Sequence, residues 1–418
     1  MTQSAELRRR LQRLGRRRPG EALVQPRLEA GVSAGEMLAG EEVPTPSGSA
    51  FRRQATYPAD YLHGRRPLGR LFDFDSRLAA DLARQPGLGE IAYDRLLFLD
   101  TETTGLAGGA GTLVFLVGLG RFTPEGFRLR QYFLRDPAEE AGMLRELVED
   151  LEETSGFVTF NGRAFDLPLL EMRYGIGLRR RWPLSARPHF DLLFPSRRLW
   201  RRALPDCTLG TLEAELLGVE RTEQDVPGAL IPGLYLEYLR SGDTTAMARV
   251  LYHNAVDVLT LVGLASTVLE RHQMPGEALT SSEALAVARW HAEQGRLQAA
   301  ESALRHAMDE GRGLERQEAL RAFTSLLRSQ RRRGHALEAL AAWSELSPDN
   351  PEPCLEAAKY YEWEARDLDQ ALQWADRARQ AVERWPDGWR RREALATIDH
   401  RMGRLLAKQA AHATPLVA

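Results

Sequence analysis

Two carboxylates, Asp100 and Glu102, close the apolar run Leu96, Leu97, Phe98, Leu99 in the segment LLFLDTETTGL. An apolar run bounded by polar and glycine residues predicts a buried strand, and residues i and i+2 of a strand point to the same side. The pair should therefore stand side by side at the edge of a sheet, where like charges repel. Paired acids relieve that repulsion by sharing a proton or by holding a divalent cation with oxygen ligands. An acidic loop after a strand is the plain alternative for an isolated D-x-E, so the weight falls on what else the chain offers.

Two more acids sit in suggestive contexts. Asp166 lies in FNGRAFDLPLL, at the start of a helix or in the loop before it, because Pro168 is tolerated only in a first turn. Asp257 lies in HNAVDVLTL, inside a long helical pattern from Ala246 to Glu270. His253 and Asp257 are four residues apart, hence about 40° apart around a helix, while Tyr252 is about 140° from Asp257. Asp225, in the turn QDVPG (Gln224 to Gly228), is read as turn-forming or capping.

The elements that must position these acids follow from apolar periodicity. TLVFLVGLGRF supplies a second strand able to form an antiparallel hairpin with the first, Phe127 to Leu134 a third, and FVTF a short fourth. Ala138 to Thr154 places Met143, Leu144, Leu147, Val148 and Leu151 on one helical face. Strands followed by helices, with acids near strand ends, describe an α/β domain whose site lies at a sheet edge. Upstream, residues 31 to 50 read as an extended or flexible connector and Phe51 to Arg70 as irregular structure. Residues 1 to 20 carry seven arginines against the single acid Glu6 and are read as a basic, partly disordered arm.

Charge is unevenly spread. The 418 residues have a formal net charge of −2, which excludes a uniformly basic nucleic-acid binder and leaves room for local patches. Between Arg173 and Arg202, nine arginines, Arg180 and Arg198 among them, face only Asp191, with Trp182, Phe190 and Trp200 interspersed. Guanidinium groups mixed with flat rings suit a single-stranded nucleic acid, whose phosphates take the charge and whose bases stack. Only two cysteines occur, Cys207 and Cys354, without metal-ligand spacing, and no run of eighteen apolar residues or signal peptide is present. A cytoplasmic protein without a membrane segment is expected.

From Ser282 onward the chain turns to short Ala/Leu/Arg-rich helices. Aligning Ala300, Ala339 and Ala371 brings Leu304, Trp343 and Ala375 into register four residues on, and Ala307, Leu346 and Ala378 seven on. The spacings, 39 and 32 residues, resemble degenerate tetratricopeptide-type hairpins, with an ordinary helical bundle as the alternative. The expected organisation is a basic arm and flexible linker over 1–45, an α/β domain over 46–275 and an all-α repeat domain over 280–412.

LDTET, FNGRAFDLPLL and HNAVDVLTL, in this order, resemble the three motifs of the DEDD exonucleases within the ribonuclease H-like superfamily. The run from about Pro46 to Leu269, including RPHFDLL and QDVPG, resembles the YprB-type ribonuclease H-like family. That resemblance implies a mixed β-sheet flanked by helices, and two Mg²⁺ or Mn²⁺ ions held by Asp100, Glu102, Asp166 and Asp257. It implies 3′-to-5′ exonucleolytic hydrolysis of single-stranded DNA or RNA ends, with Thr101, Thr103 and Leu106 touching the terminal nucleotide and Asn161 orienting the metal shell or the phosphate. The base departs from the pattern: such enzymes carry histidine five residues before the last aspartate or tyrosine four before it, and here Tyr252 is five before and His253 four before. His253 is favoured as the base by its intrinsic pKa and its place on the Asp257 face. A structure-selective endonuclease and a non-catalytic adaptor, working through the repeats on a protein partner, are the competing readings.

Overall fold

The computed structural model describes residues 38–105, 111–274 and 278–413. The chain divides into two compact units that meet between Gln273 and Met274. The arginine-rich arm over residues 1–20 lies outside the described residues.

The first unit is built on a seven-stranded sheet of order β1-β2-β7-β6-β5-β8-β9. Its strands are β1 (Glu41–Thr45), β2 (Gly48–Tyr57), β5 (Leu96–Thr103), β6 (Val114–Thr123), β7 (Gly126–Phe133), β8 (Gly156–Thr159) and β9 (His189–Asp191). A separate two-stranded ribbon pairs β3 (Leu62–His63) with β4 (Arg66–Pro67). β5, β6 and β7 form an antiparallel meander, and β8 and β9 add to the other side of β5 in parallel. The carboxyl ends of β5, β8 and β9 therefore lie along one edge. The helices of this unit are α1 (Ser76–Ala83), α2 (Glu140–Glu153), α3 (Asp166–Gly177), α4 (Leu193–Trp200), α5 (Ile231–Ser241) and α6 (Thr245–Gln273), besides single turns.

Two expectations fail here. Residues 41–57, read as linker and irregular structure, form β1 and a ten-residue β2 that pairs with β7 from Phe51↔Phe133 to Tyr57↔Phe127. Their composition hid them: Pro44, Gly48 and Arg52 dilute the apolar pattern, as is usual at a sheet edge where charge and proline block further pairing. The α/β domain thus starts before residue 46.

β5 is buried along Leu96–Leu99 because both faces are covered. Leu97 and Leu99 belong to the same core as Leu167 and Leu170 of α3. Phe98 faces the other way and meets Phe122 and Phe127 edge-on at 6.2 and 5.6 Å. On that face α6 comes very close to β6: a methyl group on Gly118 would sit 2.4 Å from Asn254 Oδ1, and one on Gly120 would sit 2.8 Å from Val258. Gly118 and Gly120 pair with Asp100 and Phe98, so the absence of side chains there is what lets α6 seat beside the acids.

The second unit is all-helical: α7 (Ser281–Glu293), α8 (Leu297–Glu310), α9 (Gly313–Ser329), α10 (Arg333–Leu346), α11 (Glu352–Tyr360), α12 (Leu368–Glu383) and α13 (Trp389–Ala413). The aligned alanines Ala300, Ala339 and Ala371 fall on α8, α10 and α12, the second helices of successive hairpins, and all three are buried. Small residues there allow the paired helices to approach closely.

Candidate active site

Three elements deliver four acids to the carboxyl end of β5. The strand brings Asp100 and Glu102 on the α6 face, and a register shift follows between Glu102 and Thr103. Bulges of this kind re-aim side chains where pairing ends. α6 brings Asp257, and α3 brings Asp166 at its first residue, where the helix dipole favours a negative charge. Pro168 lies in that first turn, where its missing N–H costs nothing.

The acids act on one another. Burial raises the Asp100 pKa well above the ordinary carboxylate value, and Asp257, Glu102 and Asp166 add to it. Glu102 is raised by burial and by Asp257 and Asp166. Asp166 is pushed up to about 6 by burial, against the Thr101 hydroxyl that donates to it. One atom each of Glu102, His253 and Asp257 lie within 4.8 Å of one another. Two carboxylates and an imidazole, with the carboxylates of Asp100 and Asp166 beside them and no thiolate in the set, fit a divalent cation of the Mg²⁺ or Mn²⁺ type rather than a thiophilic metal.

Around the acids lies a shell of fixed partners. Asn254 Nδ2 donates to Asp100 Oδ2 at 2.9 Å, and Gln131 Nε2 donates to Asn254 Oδ1 at 2.9 Å and to the Leu251 carbonyl at 2.7 Å. His253 presents Nε2 to Asp257 Oδ2 at 3.4 Å and Glu102 Oε1 at 3.9 Å, while its Nδ1 lies 2.8 Å from Asp225 Oδ1 and 3.0 Å from Arg221 Nη1, the shorter contact being the one to the carboxylate. Asp225 is therefore more than a turn former: its carboxylate orients the ring and also faces Arg221. Arg221 donates to Asp257 and, through Nε and Nη2, to Glu213 at 2.7 and 2.9 Å. Glu213 also accepts from Thr260, whose hydroxyl is 2.8 Å from His63 Nε2. Burial lowers the Arg221 pKa, but the hydrogen bonds and charge of Glu213 and Asp257 outweigh it, so the guanidinium stays charged.

Asn254, Arg221, Glu213 and Gln131 escaped sequence reasoning. Asn254 had a usable signal, since it lies three residues before Asp257 and shares its side of a helix. Glu213 and Arg221 had none, because their meeting depends on a loop.

Other expected contacts are placed differently. Thr101 and Thr103 are buried, with hydroxyls that donate to Asp166 and to the Gly105 carbonyl, so they brace the site from beneath. Leu106 lies outside the described residues. Asn161 adopts a left-handed backbone (φ 68°), and its N–H donates to Asp191 Oδ1 at 2.8 Å. Arg180 is a correction: it follows the far end of twelve-residue α3, roughly 18 Å of helix from Asp166, where it pairs with Glu152 and stacks 3.9 Å over Trp182. Trp182, Phe190 and Trp200 are buried and pack the core instead of offering rings to bases. Arg198 is half-buried near the end of α4, which leaves the carboxyl end of β9. Tyr252 lines a different cavity, with Tyr57 and Tyr61.

Among the described residues no helix is long and apolar enough to cross a membrane. A family profile described as the RNase_H superfamily matches residues 97–269, the span that carries all four acids. The protein YprB of Bacillus subtilis (strain 168) is 33% identical over 342 residues, covering 78% of this chain and 79% of the relative. RNase H-like nucleases act on nucleic acid and usually employ divalent metals, which agrees with the acidic cluster at the sheet edge. The profile match falls on the span that carries the motifs and the sheet edge, the relative covers most of the chain, and the chain belongs to the RNase H superfamily, in its YprB-type family.

Proposed function

We propose that this nuclease domain is a 3′-to-5′ exonuclease that hydrolyses single-stranded DNA or RNA from the end, with Asp100, Glu102, Asp166 and Asp257 holding two Mg²⁺ or Mn²⁺ ions. The observation that carries the reading is the meeting of acids from β5, α3 and α6, where burial and the neighbouring acids raise the pKa values of Asp100 and Glu102 and burial raises that of Asp166. When bound, such ions activate water and neutralise charge on the reacting phosphoryl oxygens.

The chain's own groups do the rest. Asn254 fixes one oxygen of Asp100, and Arg221 fixes one oxygen of Asp257, so each keeps its other oxygen for the cleft. His253 accepts a proton from water at Nε2, while Asp225 at Nδ1 holds the ring and stabilises the imidazolium that forms. Arg198 is assigned to the substrate path on the β9 side. The helical hairpins of the second unit are read as tetratricopeptide-like and as the surface for a protein partner. Their groove of about 790 Å³, lined by Arg331, Lys359, Tyr360 and Trp363 among others, supports that assignment.

The test uses oligonucleotides labelled at the 5′ end, with Mg²⁺, Mn²⁺ or EDTA. Stepwise shortening that stops with EDTA and with Asp100→Asn supports the proposal. Internal cuts on substrates with blocked 3′ ends would make the enzyme an endonuclease. Absence of both cleavage and metal binding by calorimetry would leave an adaptor.

A further inference from the structure

Helix α6 turns a second face away from the acids, and that face closes a cavity of about 420 Å³ with β2, the β3–β4 ribbon and the loop at Gly218 to Thr222. The volume is in the range of pockets that hold small ligands. Three tyrosines line it. Tyr57 and Tyr61 meet edge-on at 4.8 Å, and Tyr252 comes from α6. Arg53 joins them from the middle of β2, where its backbone is in register with Gln131 of β7.

Arg53 differs from its neighbour Arg52. Arg52 donates to Glu41 at 2.7 Å and to Glu146 at 2.6 Å. Arg53 has no acid within ion-pair distance among the described residues, and burial lowers its pKa, with only Tyr57 opposing. The lining also includes the exposed acid Glu220, on the loop opposite β2, so Arg53 is the one arginine among the described residues that line the cavity. A half-buried cation without a counter-ion costs stability unless something anionic joins it. Flat rings beside a guanidinium that no acid pairs with match one chemistry closely: a base that stacks, and a phosphate that takes the charge.

We propose that this cavity is a nucleotide subsite, taking one unstacked base of a single-stranded nucleic acid between Tyr57, Tyr61 and Tyr252, with the adjoining phosphate on Arg53. It rests on the nuclease reading for the identity of the ligand. Tyr252 and Thr222 in the cavity are the chain neighbours of His253 and Arg221 in the acidic site, so a strand held here runs past the shared loop toward the carboxylates. The subsite anchors the strand away from the bond being cut, so a substrate must be several nucleotides long to reach both places.

The experiment separates holding from cutting. Full-length Asp100→Asn protein in EDTA is titrated with a fluorescein-labelled twelve-nucleotide poly-dT strand, read by anisotropy, so loss of catalysis does not affect the result. Adding Tyr61→Ala or Arg53→Gln is expected to weaken binding about tenfold each, and Tyr61→Phe to restore it. Unchanged affinity in both variants overturns the subsite. Because Arg53→Gln could disturb β2, a second measurement needs no substitution in the cavity: a strand carrying 5-iodouracil is photo-crosslinked and the adducts are mapped by mass spectrometry. Adducts on Tyr57, Tyr61 or Tyr252 support the proposal, and adducts confined to other residues overturn it. If the cavity holds the strand while the metal-loaded wild type cleaves nothing, the subsite stands and the exonuclease reading falls.

Discussion

Glu362, in the second unit, and Asp100, in the first, are both acids withdrawn from water, and their surroundings are opposite. The Glu362 side chain is wholly buried and meets Arg401 at 2.8 Å, Arg404 at 2.9 Å and Lys408 at 2.7 Å. Asp100 lies among Asp257, Glu102 and Asp166 with a single neutral donor, Asn254. The first arrangement is an acid neutralised by the chain, which ties α13 to the turn after α11. The second leaves negative charge uncompensated, a stability cost that a fold keeps where a cation is to be bound. Arg221 sharpens the contrast: the site's one guanidinium is drawn to its margin by Glu213, so it balances Asp257 without filling the space between the acids.

The largest effect that can break this contrast is expected from Asp100→Asn. It should lower nuclease turnover on the order of a thousandfold or more, as for groups that act as a unit, and should raise the thermal midpoint of the metal-free protein at neutral pH. A fall in both would mean that Asp100 serves the fold. Glu362→Ala should do the reverse, costing about 3 kcal/mol in urea unfolding of the second unit by leaving three cations together, with metal-induced stabilisation of the first unit unchanged.

The pH dependence follows from Asp166, raised by burial to about 6. Its folded pKa exceeds the unfolded value, so the folded state binds the proton more tightly. The stability it contributes is full below about pH 4 and lost as the pH rises through about 6. In EDTA, the deficit of wild type relative to Asp166→Asn should grow over that window, on the order of 3 kcal/mol, and millimolar Mn²⁺ should remove it at pH 7.5. A deficit that shrinks with rising pH contradicts the assignment. The smallest expected effect is that of Asp225→Asn, which keeps a hydrogen bond to His253 and loses the charge behind it: about tenfold in kcat, with KM nearly unchanged. An effect as small as twofold would leave His253 without a role as base.

The apolar run Leu96–Leu99, the meander that follows and helix α6 were legible because each carries its own periodicity and covers a face with it. Strand β2 was not, since its pairing is decided by a partner, β7, some eighty residues away, and β1 forms only as the outer arm of a hairpin on β2. The same division holds within the site. The spacing of Asp100 to Glu102, and of His253 to Asp257, puts each pair on one side of one element. Nothing local distinguishes Asp225 as a partner for His253, or Arg180 as a guanidinium spent on Glu152 and Trp182.

By itself, then, the order of residues determined which segments become strand or helix and which side of each is acidic, because those properties repeat over a few residues. Tertiary structure alone decided which charges are answered. Loop closure sets Arg221 against Glu213 and Asp257, and two glycines on β6 let α6 settle beside Asp100. Electrostatic energy depends on distance through space and on exclusion of water, and neither is written in the interval between two positions along a chain.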